Sequence, residues 1–505
     1  MKKRYILALD QGTSSSKGIL LNSQAQVIAV SDNFPIPVHA PHIGWVAYDP
    51  HDMLDSLVKA GRDVIRKAGV SPSEVAMIGL ANQGETVIGF DRETGDPVGF
   101  AISWQDRRTK AIIQRWQDQG LAAEITARTG LKLDPYFSAA KMRWILENEP
   151  AAPPLLEQGR LCLATSDTWL IGQLTAHKCL LTDIATASRT MLLNLETLDW
   201  DPTLLEKLEI PRAVLPDLAG NATCVGMVDA RWFEAEIPLG GLCVDQQAAL
   251  FGQHCFHEGE AKLTFGTGCF MLANIGSDPI RRSPDLLTSV GWQMDGVTQY
   301  VLDGGIYTAG AVVDWMVDRM QLVDSAAAID EMLAEPATIP ELFFIPALSG
   351  LAAPYWEPDM KGTWHGLTLA HDRSSLVKSA MEAIGYRVKD IFELMATSGL
   401  KLDHLKVDGG LTRNRFLMQL QANLLGVPIH VMEITEATAL GVGLLSGLAA
   451  GLFSSKTGFP ENPPPQIVYR PDKQETQLCL QRYQRWCSIV QEVIKWPKRG
   501  IPGSI

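Results

Sequence analysis

Nowhere in this 505-residue chain does an apolar run approach the ~18 uninterrupted residues that a membrane-spanning helix needs, so no membrane span is expected. The basic start Met1-Lys2-Lys3-Arg4 is followed by only five apolar residues before Asp10. That is short of the ~7–15 residues of a signal-peptide core, and no small-residue cleavage site follows. Lys and Arg never cluster into a tract that could follow a nucleic-acid backbone, and the net charge is −13, which argues against nucleic acid as a partner. The eight cysteines, at 162, 179, 224, 243, 255, 269, 479 and 487, form no C-x-x-C, which excludes zinc ribbons and thioredoxin-like motifs. Most lie in apolar runs as reduced thiols do, and a cytoplasmic protein is expected. Also missing are the G-x-x-x-x-G-K-[ST] loop, the protein-kinase signature set, H-E-x-x-H and G-x-S-x-G. Asn221-Ala222-Thr223 matches a glycosylation acceptor that would be idle in the cytoplasm.

What is present is a chain too long for one core, so two domains of about 250 residues are expected. The opening stretch reads as a strand, Tyr5 to Leu9, then Asp10 at the mouth of a turn rich in Gly and hydroxyl residues, then a return strand from Gly18. Backbone N–H groups, Thr13, Ser14, Ser15, Ser16 and Lys17 at such a tip suit phosphate oxygens, and Asp10 suits a hydrated magnesium ion. Ala261 to Phe265, Gly266-Thr267-Gly268 and Cys269 to Ile275 repeat that design at the head of the second half. Two such hairpins predict a duplicated domain, 1–253 and 254–505, with a phosphate site between the halves.

Between the hairpins, Asp49 reads as the cap of a helix with Pro50 in its first turn, and Leu54, Leu57, Val58, Val64 and Ile65 share its apolar face. Strands from Val75 to Leu80 and at Ala101-Ile102 both end in polar clusters, as does the short strand before Asp245, which points to one shared cleft. The segment from about 111 to 200 reads as helical, interrupted near Pro150–Pro154. In the second half, a long helix is expected from Ser375 to Met395. A strand then leads into Asp408-Gly409-Gly410, with a helix over 415–425 and a helix of small residues from Glu436. A Pro/Gly/Ser-rich linker over about 453–472 precedes a last helix near 474–495 with Leu478, Leu480, Tyr483, Trp486, Ile489, Val490 and Val493.

Seven of these motifs, in order, carry a resemblance: Asp10-Gln11-Gly12-Thr13, Gly44-Trp45-Val46, Asn82-Gln83-Gly84-Glu85-Thr86, Trp104 to Thr109, Asp245 to Gly252, Phe265 to Gly268 and Asp408-Gly409-Gly410. Together they resemble the FGGY carbohydrate kinases, and among these the glycerol kinases. The resemblance implies an α/β fold of two actin-like (ribonuclease H-like) ATPase domains, with ATP, Mg²⁺ and a small polyol or sugar in the cleft between them. It implies that Thr13, Ser14, Ser15 and Lys17 contact the nucleotide phosphates and Asp10 assists the metal. Thr267, with Gly266 and Gly268, would cradle the γ-phosphate, while Gly409, Gly410 and Asn414, with Gly310 and Asp314 nearby, would border the nucleotide. Asp245 would be the general base. Glu85, Tyr136, Asp245 and Gln246 would hold acceptor hydroxyls, and Trp104 and Phe270 would face its carbon chain.

The pattern departs at Gly84, where glycerol kinases typically carry Arg, and at Asp314, where they usually carry Gln. Loss of the arginine predicts weaker glycerol binding and room for a four- or five-carbon polyol or ketopentose, which is the rival acceptor. Residues 227–233 lack both the Gly-rich loop linked to inhibition and the His that some relatives phosphorylate. A non-catalytic ATP-binding sensor is the reading from another class, disfavoured by the presence of Asp10, Asp245 and Thr267. A homo-oligomer is neither required nor excluded.

Overall fold

The computed structural model describes residues 3–279, 283, 285–334, 341–357, 359–433, 436–453 and 464–496. Two seven-stranded sheets dominate it. In the first, Tyr5–Gln11 and Ser15–Leu21 form the opening hairpin, and Tyr5–Gln11 runs parallel to Val75–Asn82, which runs parallel to Ile237–Val244. In the second, Ala261–Phe265 and Cys269–Asn274 form the hairpin, with Leu405–Gly409 and then Ile429–Val431 added in parallel. The order of strands is therefore the same in both. In each sheet the hairpin tip and the carboxyl ends of the parallel strands lie on one edge, where ligands of open α/β sheets bind.

The strand period of two explains how the first sheet is buried on both faces. Leu7 and Leu9 pack with Leu54 and Leu57 of the helix Pro50–Ala68, whose Asp49 cap accepts from the His51 N–H at 2.8 Å. Ile6 and Ala8, pointing the other way, belong to a core shared with Val442 and Leu445. Those two residues sit on the helix Ala437–Ala449, which is late in the sequence yet covers the first sheet. Its small residues are what allow this: Ser446 Oγ donates to the Gly240 carbonyl at 2.7 Å, and a Cβ at Gly443 would press on Leu21 and Ala8. Gly441 meets the Ala248 carbonyl and Gly252 that of Ala437, so the helix Asp245–Gly252 touches it backbone to backbone.

The long helix extends over Arg373–Thr397, capped by Asp372, whose Oδ1 accepts from the Ser375 N–H at 2.9 Å. It backs the second sheet and packs on Arg415–Leu425. Two expectations need correcting. The segment 111–200 is not all helix: Leu161–Thr165 is a buried strand paired with Val87–Asp91, because a five-residue apolar run is decided by its neighbour and not by its own period. The proline-rich stretch is also less a break than a start, since Ala152–Glu157 is a short helix with prolines in its first turn. Half of the expected linker, 454–463, lies outside the described residues, and within its remainder Ile467–Tyr469 is an edge strand on Ile429–Val431. The last helix, Lys473–Ile494, buries Tyr483, Trp486, Ile489 and Val490, while Leu478 is exposed. All eight cysteines are free, and Asn221 is buried, donating to Asp183 and to the Leu242 carbonyl. Among the described residues no helix is long and apolar enough to cross a membrane.

Candidate active site

Asp245 is the first residue of its helix and stands at the carboxyl end of Ile237–Val244. Its Oδ1 accepts from the Gln246 N–H at 2.7 Å, and its own carbonyl lies 3.4 Å from Thr438 Oγ1 on the covering helix. Burial and the Glu85 carboxylate push its pKa up, the Gln246 N–H and Lys262 pull it back, and it comes to rest at about 6. Such a carboxylate is ionised at neutral pH and still a competent proton acceptor. Gln246 is held in turn, its Oε1 accepting from Lys262 Nζ at 2.6 Å, with Lys262 also donating to Thr264 at 2.9 Å.

Glu85 follows the strand Val75–Asn82 and is 5% exposed. Arg189 Nε donates to its Oε1 at 2.7 Å, while Arg189 Nη2 pairs with Asp303 of the second sheet at 3.0 Å. Burial disfavours the guanidinium charge, but the two carboxylates outweigh it and raise its pKa. The guanidinium lies 5.9 Å from the Tyr136 ring and 5.5 Å from Phe137. Tyr136 meets Trp104 edge to face at 5.6 Å, and Trp104 Nε1 donates to Thr13 Oγ1 at 2.9 Å. Lys141 fixes this loop by donating to the carbonyls of Pro135, Tyr136 and Phe137, and burial takes its pKa down to about 7.

At the first hairpin, Asp10 lies within the strand, opposite Lys17, and not in the turn. Its Oδ1 is shut off from solvent and has no hydrogen-bond partner among the described residues. Burial, then Asp245 and Glu436, raise its pKa to about 8 against the pull of Lys17. A lone inward carboxylate with a free oxygen fits a cation that keeps most of its water, as Mg²⁺ does. Among the described residues no group of three or more side chains forms a ready-made metal cage. Lys17, expected on phosphate, pairs with Glu436 at 2.8 Å. Ser14 is exposed and Ser15 partly so, but Ser16 turns inward to Ser56 Oγ at 2.7 Å.

The second hairpin exposes Gly266 and Thr267. Gly266 N–H donates to the Gly268 carbonyl at 2.9 Å, and the Thr267 carbonyl accepts from Ala309 and Ala311. Gly310 abuts this tip, where a Cβ would come 2.5 Å from the Gly266 carbonyl. Gly409, at φ +96°, lies against Phe265 so closely that a Cβ would strike that residue's backbone, while Gly410 is open. Asn414 uses its Oδ1 to cap the next helix, accepting from Leu417 N–H at 2.7 Å. Asp314 is exposed at the end of the helix Gly310–Asp314, and Phe270 is half-buried opposite Thr264 and Gly305.

The space expected beside Gly84 is filled. A Cβ there would stand 2.7 Å from Val244 Cγ2 and 4.0 Å from Arg189 Cγ. A side chain at residue 84 would therefore require Val244 to shift.

Residues 5–252 match the N-terminal domain of the FGGY family of carbohydrate kinases, and residues 261–450 match its C-terminal domain. The chain belongs to the FGGY family. This FGGY kinase is 39% identical over 494 residues to the glycerol kinase of Thermoanaerobacter sp. (strain X514), covering 98% of this chain and 99% of that one. It is 42% identical over 456 residues to the glycerol kinase of Burkholderia vietnamiensis (strain G4 / LMG 22486), covering 90% and 91%. A crystal structure of Plasmodium falciparum glycerol kinase with ADP superposes with a TM-score of 0.90 at 29% identity, covering 98% of this chain and 99% of that one. A ligand-bound xylulose kinase from Lactobacillus acidophilus shares the fold, with a TM-score of 0.87 at 24% identity over 97% and 99% of the two chains. The protein is thus a sugar or polyol kinase, glycerol kinase-like along nearly its whole length. Arg189, Asp303, Lys262 and Glu436 stand against the expected site residues or one another, and motif reading passes over them. Only Lys262, a cation inside the apolar strand Ala261–Phe265, carries a sign of its role in the local sequence.

Proposed function

We propose that this kinase moves the γ-phosphoryl group of ATP to a terminal hydroxyl of glycerol. The observation that carries the reading is Asp245. It is a half-buried carboxylate with a pKa raised to about 6, at the carboxyl ends of the parallel strands and within electrostatic reach of Glu85 and Lys262. An alcohol is a weak nucleophile, so Asp245 accepts the proton of the attacking hydroxyl. Glu85, Tyr136 and Gln246 hold hydroxyls, and Trp104 and Phe270 face the carbon chain, with Gly84 as the floor beside them. Thr13, Ser14, Ser15 and Lys17 meet the phosphates from one half. Gly266, Thr267 and Gly268 cradle the γ-phosphate from the other, so that charge on the transferred group is neutralised by fixed donors. Gly310, Asp314, Gly409, Gly410 and Asn414 border the nucleotide. Asp10 holds Mg²⁺, which when bound supplies positive charge against the phosphates. The working halves are 1–253 and 254–505, and eight free thiols suit a reducing cytoplasm.

Glycerol is favoured over a longer acceptor because Val244 fills the side of the site at Gly84, and the relatives at about 40% identity bear that name. The test is ADP release with ATP and Mg²⁺ across glycerol, erythritol, xylitol, ribulose and xylulose. Glycerol is expected to give the highest kcat/KM, by about tenfold or more. Preference for a four- or five-carbon compound overturns the acceptor, and no stimulation by any of them overturns the kinase reading.

A further inference from the structure

Arg189 lies in the seam between the two sheets, just beyond the short helix Ile184–Ala187, and is 4% exposed. Three different side chains face its three nitrogens: Glu85 at Nε, Asp303 at Nη2 and, at 3.5 Å, Ser289 at Nη1. Glu85 belongs to the first half of the chain, Asp303 and Ser289 to the second. The backbone beside Arg189 is tied across the same seam, since the Val290 N–H donates to Ser188 Oγ at 3.1 Å. Tyr136 and Phe137 lie within 6 Å of the guanidinium centre, so one planar cation touches both the carboxylate and the aromatic wall of the acceptor site. Residue 84 contributes no side chain, and its Cβ direction points at Val244 and at the Arg189 stem. The cation that orients Glu85 therefore comes from a distant part of the chain.

We propose that Arg189 is a positioning residue for the acceptor. It fixes the direction of Glu85 toward the acceptor hydroxyls and, through Asp303, makes that direction depend on how the two halves meet. The inference rests on the reading of Glu85 as an acceptor ligand. A guanidinium can hold two carboxylates at once in a fixed plane, whereas an ammonium is a point charge that cannot keep both geometries. Removing the charge altogether would strand two buried carboxylates, so the informative changes are conservative.

The experiment measures steady-state kinetics with glycerol and ATP varied separately, for wild type, Arg189→Lys, Glu85→Gln, the double variant and Asp303→Asn, each checked by circular dichroism. Arg189→Lys is expected to raise the glycerol KM about tenfold while the ATP KM stays within about twofold. In the Glu85→Gln background the same change is expected to raise it less than about twofold, because its effect passes through Glu85. Equal effects in both backgrounds, or an ATP KM that rises alongside, overturn the proposal. Asp303→Asn keeps the shape of the site and leaves Arg189 in place. It is expected to raise the glycerol KM several-fold at constant ATP KM, and an unchanged glycerol KM overturns the proposal even if Arg189→Lys fails to fold. An inactive wild type removes the acceptor reading itself, which is distinct from an active wild type whose variants behave like it.

Discussion

Asp245 and Glu85 are both acids of the proposed acceptor site, yet their surroundings suit them to different work. Asp245 has one fixed donor, the Gln246 N–H, and a raised pKa, the condition of a proton acceptor. Glu85 is clamped by a guanidinium, the condition of a hydrogen-bonding anchor. Asp245→Asn keeps the shape and removes the basic site, so transfer should fall by about 10²–10⁴-fold while calorimetry still detects ATP binding. Retained turnover would exclude Asp245 as the base. The sign of the pH dependence follows from the same carboxyl. Protonated, it cannot accept the hydroxyl proton, so kcat/KM for the acceptor should decline as pH falls through about 6. This low-pH limb should vanish from the residual activity of Asp245→Asn. At this scale the motifs made Asp245, Glu85 and Tyr136 readable, because each sits beside distinctive neighbours in sequence. Arg189 was not readable: its partners are 104 and 114 positions away, and Ser188-Arg189-Thr190 carries no mark of burial. Gly84 was readable as a departure, but the contact its Cβ would make with Val244 was not.

The hairpins show what elements contribute beyond their residues. Each is a strand pair whose tip projects from the edge where parallel strands end, and each tip is closed by its own backbone, Gly12 N–H on the Ser15 carbonyl and Gly266 N–H on the Gly268 carbonyl. Gly409 ends the strand beside the second hairpin at a positive φ and in contact with Phe265, a place that no larger residue fits without strain. Gly409→Ala should therefore displace the Gly266–Gly268 tip. The expected result is an ATP KM raised at least about tenfold with the glycerol KM changed little, checked by varying each substrate at saturation of the other. An unaltered ATP KM would mean that the strand end does not shape the nucleotide site. The hairpins, the capped helix at Asp49 and the helix Arg415–Leu425 were legible because turn chemistry and period agreed over long stretches. The strand Leu161–Thr165 was not, because its five residues fit a buried helix equally well and only pairing with Val87–Asp91 decides between them.

At the scale of the whole molecule, two ion pairs among the described residues join the first half of the chain to the second, Arg189 with Asp303 and Lys17 with Glu436, and the latter sits beside Asp10. Glu436 places a negative charge where the phosphates of ATP are proposed to lie, and it pairs with the lysine proposed to receive them. Glu436→Gln should lower the Kd for a non-hydrolysable ATP analogue several-fold, and Lys17→Met should raise it, both read by calorimetry. Weaker binding in Glu436→Gln would make this carboxylate a contributor to the nucleotide site instead of a competitor for Lys17.

The helix Ala437–Ala449 has a consequence in time. As the chain is made, the strands of the first sheet and the helix Pro50–Ala68 emerge early, but the face formed by Ile6, Ala8, Ile19 and Leu21 has no cover until residues near 449 leave the ribosome. At about 5–20 residues per second, the roughly 200 residues between the sheet's last parallel strand, Ile237–Val244, and the end of that helix keep the face bare for on the order of 10–40 s after the strands are made. The first-made sheet is thus covered on this face only when a small-residue helix from late in the chain packs onto it.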